Sequence, residues 1–200
     1  MAALPPMVTF AAPSGTGKTT LLEGVIAALV ARGFRVAVLK HDAHRLKLDK
    51  PGKDSWRFRQ AGAWRVVVAS SAQLGLFSSL DGPLSLAGVA DTWLEGADVV
   101  LTEGFRRAGL PTILVRRQGA GDPTWTPPVN VVAIAADAPQ PEPLPLLPLN
   151  DPEAVAVFIA DRWLQPDSPR PITAALPIGP AVSAQIQAAW MQRARALFGD

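Results

Sequence analysis

The stretch 10-FAAPSGTGKTTLLEG-24 decides the fold. It passes from an apolar segment through a Gly-rich turn into residues with helical periodicity. It nearly matches the phosphate-binding pattern G-x-x-x-x-G-K-[ST], in which the N–H groups of the turn and of the following helix N-terminus face an anion. The pattern opens with Gly, and here that place holds Ala12. Ala12 falls at the strand's exit, where a methyl group fits as long as the backbone stays at φ < 0. Gly15 and Gly17 stand where side chains would block the backbone's approach to phosphate. Lys18 is placed to reach the β/γ-phosphates, and Thr19 to offer its hydroxyl to Mg²⁺. The loop therefore predicts a nucleotide-binding set of Ser14, Gly15, Thr16, Gly17, Lys18, Thr19 and Thr20, with Lys18 as the catalytic cation.

Outward from this stretch, apolar strands alternate with helices. Residues 7–12 and 34–40 read as strands on either side of a helix over 19–31, which carries apolar residues at i, i+3 and i+4 and is stopped by Gly33. The polar segment after residue 40 contains Pro51-Gly52 and predicts a loop or protruding hairpin. A short helix with Ser55 as its N-cap follows, then consecutive strands in 64-WRVVVASS-71 and 73-QLGLFSS-79. Residues 83–96 read as a helix, and 97–105, 112–117 and 129–137 as strands. The five prolines of 138–149 predict an extended connector, and 151–165 a helix capped by Asp151 with Pro152 at its first position. The expected fold is α/β, a P-loop NTPase-like, mostly parallel sheet flanked by helices. The expected organisation is a nucleotide-binding domain over 1–165, then a Pro-rich linker and C-terminal helix over 166–200.

A magnesium-nucleotide site needs a carboxylate near the loop, to hold the ion directly or through water. Ligands of open α/β sheets gather at the carboxyl ends of strands. Glu103 closes the strand 98-DVVLTE-103 and is preferred as the acid. Asp98 opens it, roughly 15 Å away at about 3.3 Å per residue. Asp42 follows the second strand and is a candidate for contact with a Mg²⁺-bound water. His41 and His44 lack a third ligand at sensible spacing and read as solvated or hydrogen-bonded. No N-K-x-D pattern is present to read guanine. Asp137, at the end of 131-VVAIAAD-137, can accept hydrogen bonds from guanine N1–H and its 2-amino group.

Charge is uneven along the chain. Residues 40–65 hold eight basic side chains against three aspartates, a local +5 on a chain of net charge +2, so the remainder carries −3. Such a run is either a solvated basic face or, beside a phosphate loop, an anion site in which Lys50, Lys53 and Arg57 take part. The even charge elsewhere disfavours nucleic acid as a partner. With 48% hydrophobic and 18% charged residues the chain can build a buried core. No apolar run approaches the roughly 18 residues that span a bilayer, and the start MAALPPMVTF lacks a signal-peptide pattern, so a cytoplasmic protein without a membrane partner is expected. The absence of Cys excludes disulfides and thiolate metal sites.

Taken in order, the loop with its flanking elements, LKHD (39–42), DKPGKDS (49–55) and TEGF (102–105) resemble the MobB family, the molybdopterin-guanine dinucleotide biosynthesis accessory proteins. The resemblance covers roughly residues 7–165, and Ala12 is compatible with it. It implies a homodimeric, GTP-binding protein that assists the guanylyltransferase MobA, with at most slow GTP hydrolysis. From the residues alone the reading is broader: a Mg-nucleotide site beside a basic segment able to hold a second anion, such as a pterin phosphate. A P-loop small-molecule kinase is the competing reading, since Arg57, Arg59, Arg106 and Arg107 are available to clamp a transferred phosphoryl group.

Overall fold

Val, Ile, Leu and Ala dominate the segments that become buried strands, because a parallel strand covered on both faces has no solvent side to fill with polar residues. The computed structural model describes residues 4–41, 49–70, 72–78, 82, 85–122 and 124–164. In chain order the elements are β1 (Met7–Ala11), α1 (Lys18–Ala31), β2 (Val36–Lys40), α2 (Asp54–Gln60), β3 (Arg65–Ala69), β4 (Leu74–Ser78), α3 (Leu86–Trp93), β5 (Val99–Glu103), β6 (Thr112–Arg116), β7 (Val131–Ala136), β8 (Leu146–Pro148) and α4 (Pro152–Trp163). They fall into two units, one drawn from Met1–Leu46 and Gly82–Arg170, the other containing Lys47–Asp81.

The first unit is a six-stranded sheet in the order β2-β5-β1-β6-β7-β8, with every pairing parallel. β1 lies between β5 and β6, so the phosphate loop leaves the middle of the sheet at its carboxyl edge. Alternate residues Val8 and Phe10, Val99 and Leu101, Ile113 and Val115, and Ala133 and Ala135 form one face of the core. Against that face pack Leu21, Leu22, Val25 and Leu29 of α1 and Val155, Ala156 and Ile159 of α4. The two helices approach closely at Gly24, where a Cβ would stand 2.7 Å from the Pro152 ring, so only Gly fits. A smaller cluster of Leu114, Ile134 and Ala136 is covered by Trp125, Val131 and Leu144. Between β1 and β5 the hydroxyls of Thr9 and Thr102 share a hydrogen bond of 2.6 Å, which satisfies two buried polar groups at once.

The second unit holds α2 and an antiparallel hairpin in which Arg65 pairs with Ser78 and Ala69 with Leu74. The Arg59 guanidinium joins its parts, lying 5.7 Å from the Phe77 ring centroid and 3.5 Å from an Asp49 oxygen.

The expected α/β architecture is present, with differences at element ends. α2 begins two residues early, with Lys53 in the cap position. The Ser55 hydroxyl donates instead to Asp49 at 2.9 Å. α3 is confined to Leu86–Trp93, because the Ser85 hydroxyl accepts from the Gly88 N–H and so sets the start. The Pro-rich connector is not wholly irregular. Leu146–Pro148 adds to β7 as an edge strand, one of the few places in a sheet that tolerate proline. The Asp151 cap is as expected, its side chain accepting from the Ala154 N–H at 3.1 Å. The linker and helix expected over 166–200 lie outside the described residues, as do Asp42 and His44.

Candidate functional site

The site begins with backbone geometry. Gly15 and Gly17 have φ of +79° and +87°, values that L side chains adopt only with strain. No non-glycine residue among the described ones has positive φ, so Ala12 sits without strain and its methyl packs on the core. The Thr16 hydroxyl donates to the Pro13 carbonyl at 3.1 Å and braces the turn from inside. Gly17 occupies the N-cap of α1, and no side chain caps the helix. The first turn of α1 also lacks an acidic residue. Its free N–H groups and the positive end of the helix dipole therefore face outward with no carboxylate of their own helix to satisfy them.

Lys18 turns towards β5. Its Nζ donates to Glu103 Oε1 at 2.6 Å, and both side chains are largely buried, at 18% and 14% exposure. Lys40 Nζ stands 3.8 Å from the same oxygen. The structure thus brings together the predicted cation and the preferred acid. Asp98 is otherwise engaged: it accepts from the Arg35 backbone N–H at 2.7 Å and pairs with the Arg35 guanidinium at 3.5 Å. The turn after Glu103 is tight. Gly104 has φ +95°, and a Cβ there would run into the His41 carbonyl oxygen. The His41 N–H donates to the Glu103 carbonyl at 2.8 Å, and its ring packs on Phe105.

Two cavities open beside the loop. One, of about 730 Å³, is lined by Lys18, His41, Glu103, Phe105, Arg106 and Arg107 among others. The other, of about 500 Å³, reaches from Pro13 and Thr16 of the loop to Arg117, Asp122, Trp125 and Gln140. Hydrogen bonds from the Thr124 hydroxyl and N–H hold the Asp122 carboxyl below its ordinary value, so it is an anion at neutral pH.

The remaining candidates are dispersed. Ser14, Gly15, Thr19 and Thr20 are exposed on the loop and the first turn of α1, while Thr16 is buried. Asp137 lies just past β7, where its Oδ1 accepts from the Gln118 N–H at 2.8 Å. Lys50, Lys53 and Arg57 belong to the second unit. There the Lys53 N–H closes a turn on the Lys50 carbonyl, and Arg57 pairs loosely with Asp54 at 3.6 Å. Sequence reasoning passed over Arg117. Its Nε–H donates to the Thr16 carbonyl at 3.2 Å, and Nη1 stands 3.8 Å from Asp137 Oδ2. The available signal was its position, the first residue past β6 at the same sheet edge as the loop. Among the described residues no three His, Asp or Glu side chains gather as a ready metal site, and no helix is long and apolar enough to cross a membrane.

An all-parallel sheet, a central strand opening into a glycine turn and an uncapped helix carrying Lys18 define a P-loop NTPase-like α/β protein. The family described as "MobB: Molybdopterin guanine dinucleotide synthesis protein B" matches residues 7–137. The chain is 40% identical over 167 residues to the molybdopterin-guanine dinucleotide biosynthesis adapter protein of Escherichia coli (strain K12), covering 80% of this chain and 94% of that one. It is 38% identical over 160 residues to the protein of the same name from Haemophilus influenzae, covering 80% and 89%. The crystal structure of Bacillus subtilis MobB superposes with a TM-score of 0.62 at 26% identity, over 80% of this chain and 98% of that one. The chain belongs to the MobB family.

Proposed function

We propose that this protein is a nucleotide-binding adapter in molybdopterin guanine dinucleotide biosynthesis. It binds GTP with Mg²⁺ and works beside a MobA-like guanylyltransferase, as a cytoplasmic homodimer with at most slow GTP hydrolysis. The observation that carries the nucleotide reading is the joined set of parts around Lys18: two positive-φ glycines, an uncapped helix start and the ion pair with Glu103. The names of the relatives support the pathway.

In this reading the loop N–H groups from Ser14 to Thr20 hold the phosphates. Lys18 leaves Glu103 for phosphate oxygens, an exchange between two anionic partners that keeps its charge compensated. Bound Mg²⁺ supplies charge neutralisation at the phosphates. Thr19 and Glu103 are its proposed ligands, with Asp42 reaching it through water. Asp137, oriented by the Gln118 N–H, reads the guanine edge. Lys50, Lys53 and Arg57 form a second anion site suited to a pterin phosphate, which would bring molybdopterin to the same protein. A small-molecule kinase is the second reading, favoured by Arg106 and Arg107 lining the same cavity as Lys18.

Calorimetric titration with GTP and ATP, each with and without Mg²⁺, tests the proposal. ATP should bind at least about tenfold less tightly than GTP, because adenine lacks the N1–H and 2-amino donors that the Asp137 carboxylate would accept. Equal binding of the two removes the guanine assignment. Phosphorylated acceptor appearing from labelled GTP would favour the kinase. A companion pair of variants tests the acid. Glu103→Gln should weaken Mg²⁺-dependent binding more than Mg²⁺-free binding. Asp98→Asn should leave both alone, since its carboxylate serves Arg35. The reverse pattern would move the metal-facing role to Asp98.

A further inference from the structure

Arg116 and Arg117 are neighbours in sequence with opposite circumstances. Arg116 Nη1 is held at 2.6 Å by Glu142 and at 2.8 Å by Gln140, so its charge is compensated where it stands. Among the described residues no carboxylate oxygen stands closer to Arg117 than the 3.8 Å of Asp137, and its side chain remains 40% exposed. Its plane is nevertheless fixed, by the bond from Nε to the Thr16 carbonyl and by Gly17, where a Cβ would stand 2.9 Å from Nη2. Gly17 therefore serves the guanidinium as well as the turn. This group stands in the wall of the cavity that runs from the loop to Trp125. Its lining sets Leu114, Val115 and Trp125 beside Thr16, Gln118 and Asp122. Its volume of about 500 Å³ falls within the range of small-molecule sites.

We propose that this cavity takes the purine base of a nucleotide whose phosphates lie in the loop, with the Arg117 guanidinium as the platform on which the base stacks. The proposal rests on the nucleotide reading of the loop and adds where the base goes. A guanidinium prefers to lie flat on an aromatic ring, and this one is held in place before any ligand arrives. One end of Arg117 touches the loop at Thr16 and the other approaches Asp137, so a base resting on it has its phosphates on the first side and its edge on the second. The Lys18 cavity holds the Lys18–Glu103 ion pair and the two side chains Arg106 and Arg107, cations suited to the charged end of the ligand.

Two ligands separate the base from the phosphates: GTP and inorganic tripolyphosphate, each titrated calorimetrically in Mg²⁺. Arg117→Lys keeps the charge and a donor for the Thr16 carbonyl but removes the plane. It should bind GTP about 3- to 30-fold more weakly than the wild type, while tripolyphosphate binding stays within about twofold. Arg117→Ala should lose affinity for both, and more for GTP. Wild-type GTP affinity in the lysine variant, or an equal loss for the two ligands, reduces Arg117 to a brace for the loop and overturns the proposal. A wild-type protein that binds tripolyphosphate no more weakly than GTP overturns the base site alone. One that binds neither ligand removes the nucleotide reading together with it.

Discussion

Lys18→Ala is expected to weaken GTP binding about 10- to 100-fold while leaving the protein folded. A charge-assisted contact to phosphate contributes about 1.5–3 kcal/mol, and each 1.4 kcal/mol is a factor of about ten in Kd. The fold should tolerate the change because Lys18 lies in the first turn of α1, and the buried residues that anchor the helix, Leu21, Leu22, Val25 and Leu29, are elsewhere. What the variant leaves behind is Glu103, with Lys40 as a neighbouring cation, 3.8 Å away in the wild-type arrangement. That lysine is 57% exposed and free to swing inward, so the abandoned carboxylate has a replacement partner. Circular dichroism should match the wild type and titration should not. An unchanged Kd would end the assignment of the loop.

Gly104→Ala should be the most damaging single methyl in the site. The residue has φ +95°, which costs an L-residue about 1–2 kcal/mol, and its Cβ would meet the backbone carbonyl of His41. A backbone atom cannot rotate aside as a side-chain end can, so either the end of β2 or the end of β5 must shift. With overpacking of this kind at about 1–3 kcal/mol, the total is about 2–5 kcal/mol, and the melting temperature should fall by about 5–15 °C. The hydrogen bond from the His41 N–H to the Glu103 carbonyl spans the same crossing, so the shift moves Glu103 away from Lys18. Weakened Mg²⁺-dependent GTP binding should therefore accompany the lower melting temperature. A variant that melts and binds like the wild type would show that the two chain segments are not pressed together there.

Much of this was legible in the sequence, for identifiable reasons. The glycine turn, Lys18 and the periodicity of α1 are local, and the apolar runs of β1, β5, β6 and β7 carry their own burial. Glu103 could be chosen over Asp98 because strand direction in a parallel sheet fixes which end faces the loop. Three features were hidden because they depend on partners distant in sequence. β8 is a strand only by virtue of β7, and Pro148 within it and Pro145 before it mask it. The start of α2 was misread because the Ser55 hydroxyl finds Asp49 instead of its own helix. Arg117 reads as an ordinary strand-end charge until the turn containing Thr16, 101 residues earlier, is laid against it.

The position of β1 between β5 and β6 has a consequence for synthesis. The hydroxyl pair of Thr9 and Thr102 joins residues 93 apart, and Phe10 pairs with both Glu103 and Ile113. On the ribosome the first strand and its glycine turn emerge long before either neighbour exists. At about 5–20 residues per second, that interval lasts roughly 5 to 20 s. For that time MVTFA is an apolar segment with two unpaired edges, open to chaperones and to aggregation alike. Slowing translation between codons 20 and 100 should lower soluble yield, and the same slowing after codon 120 should not.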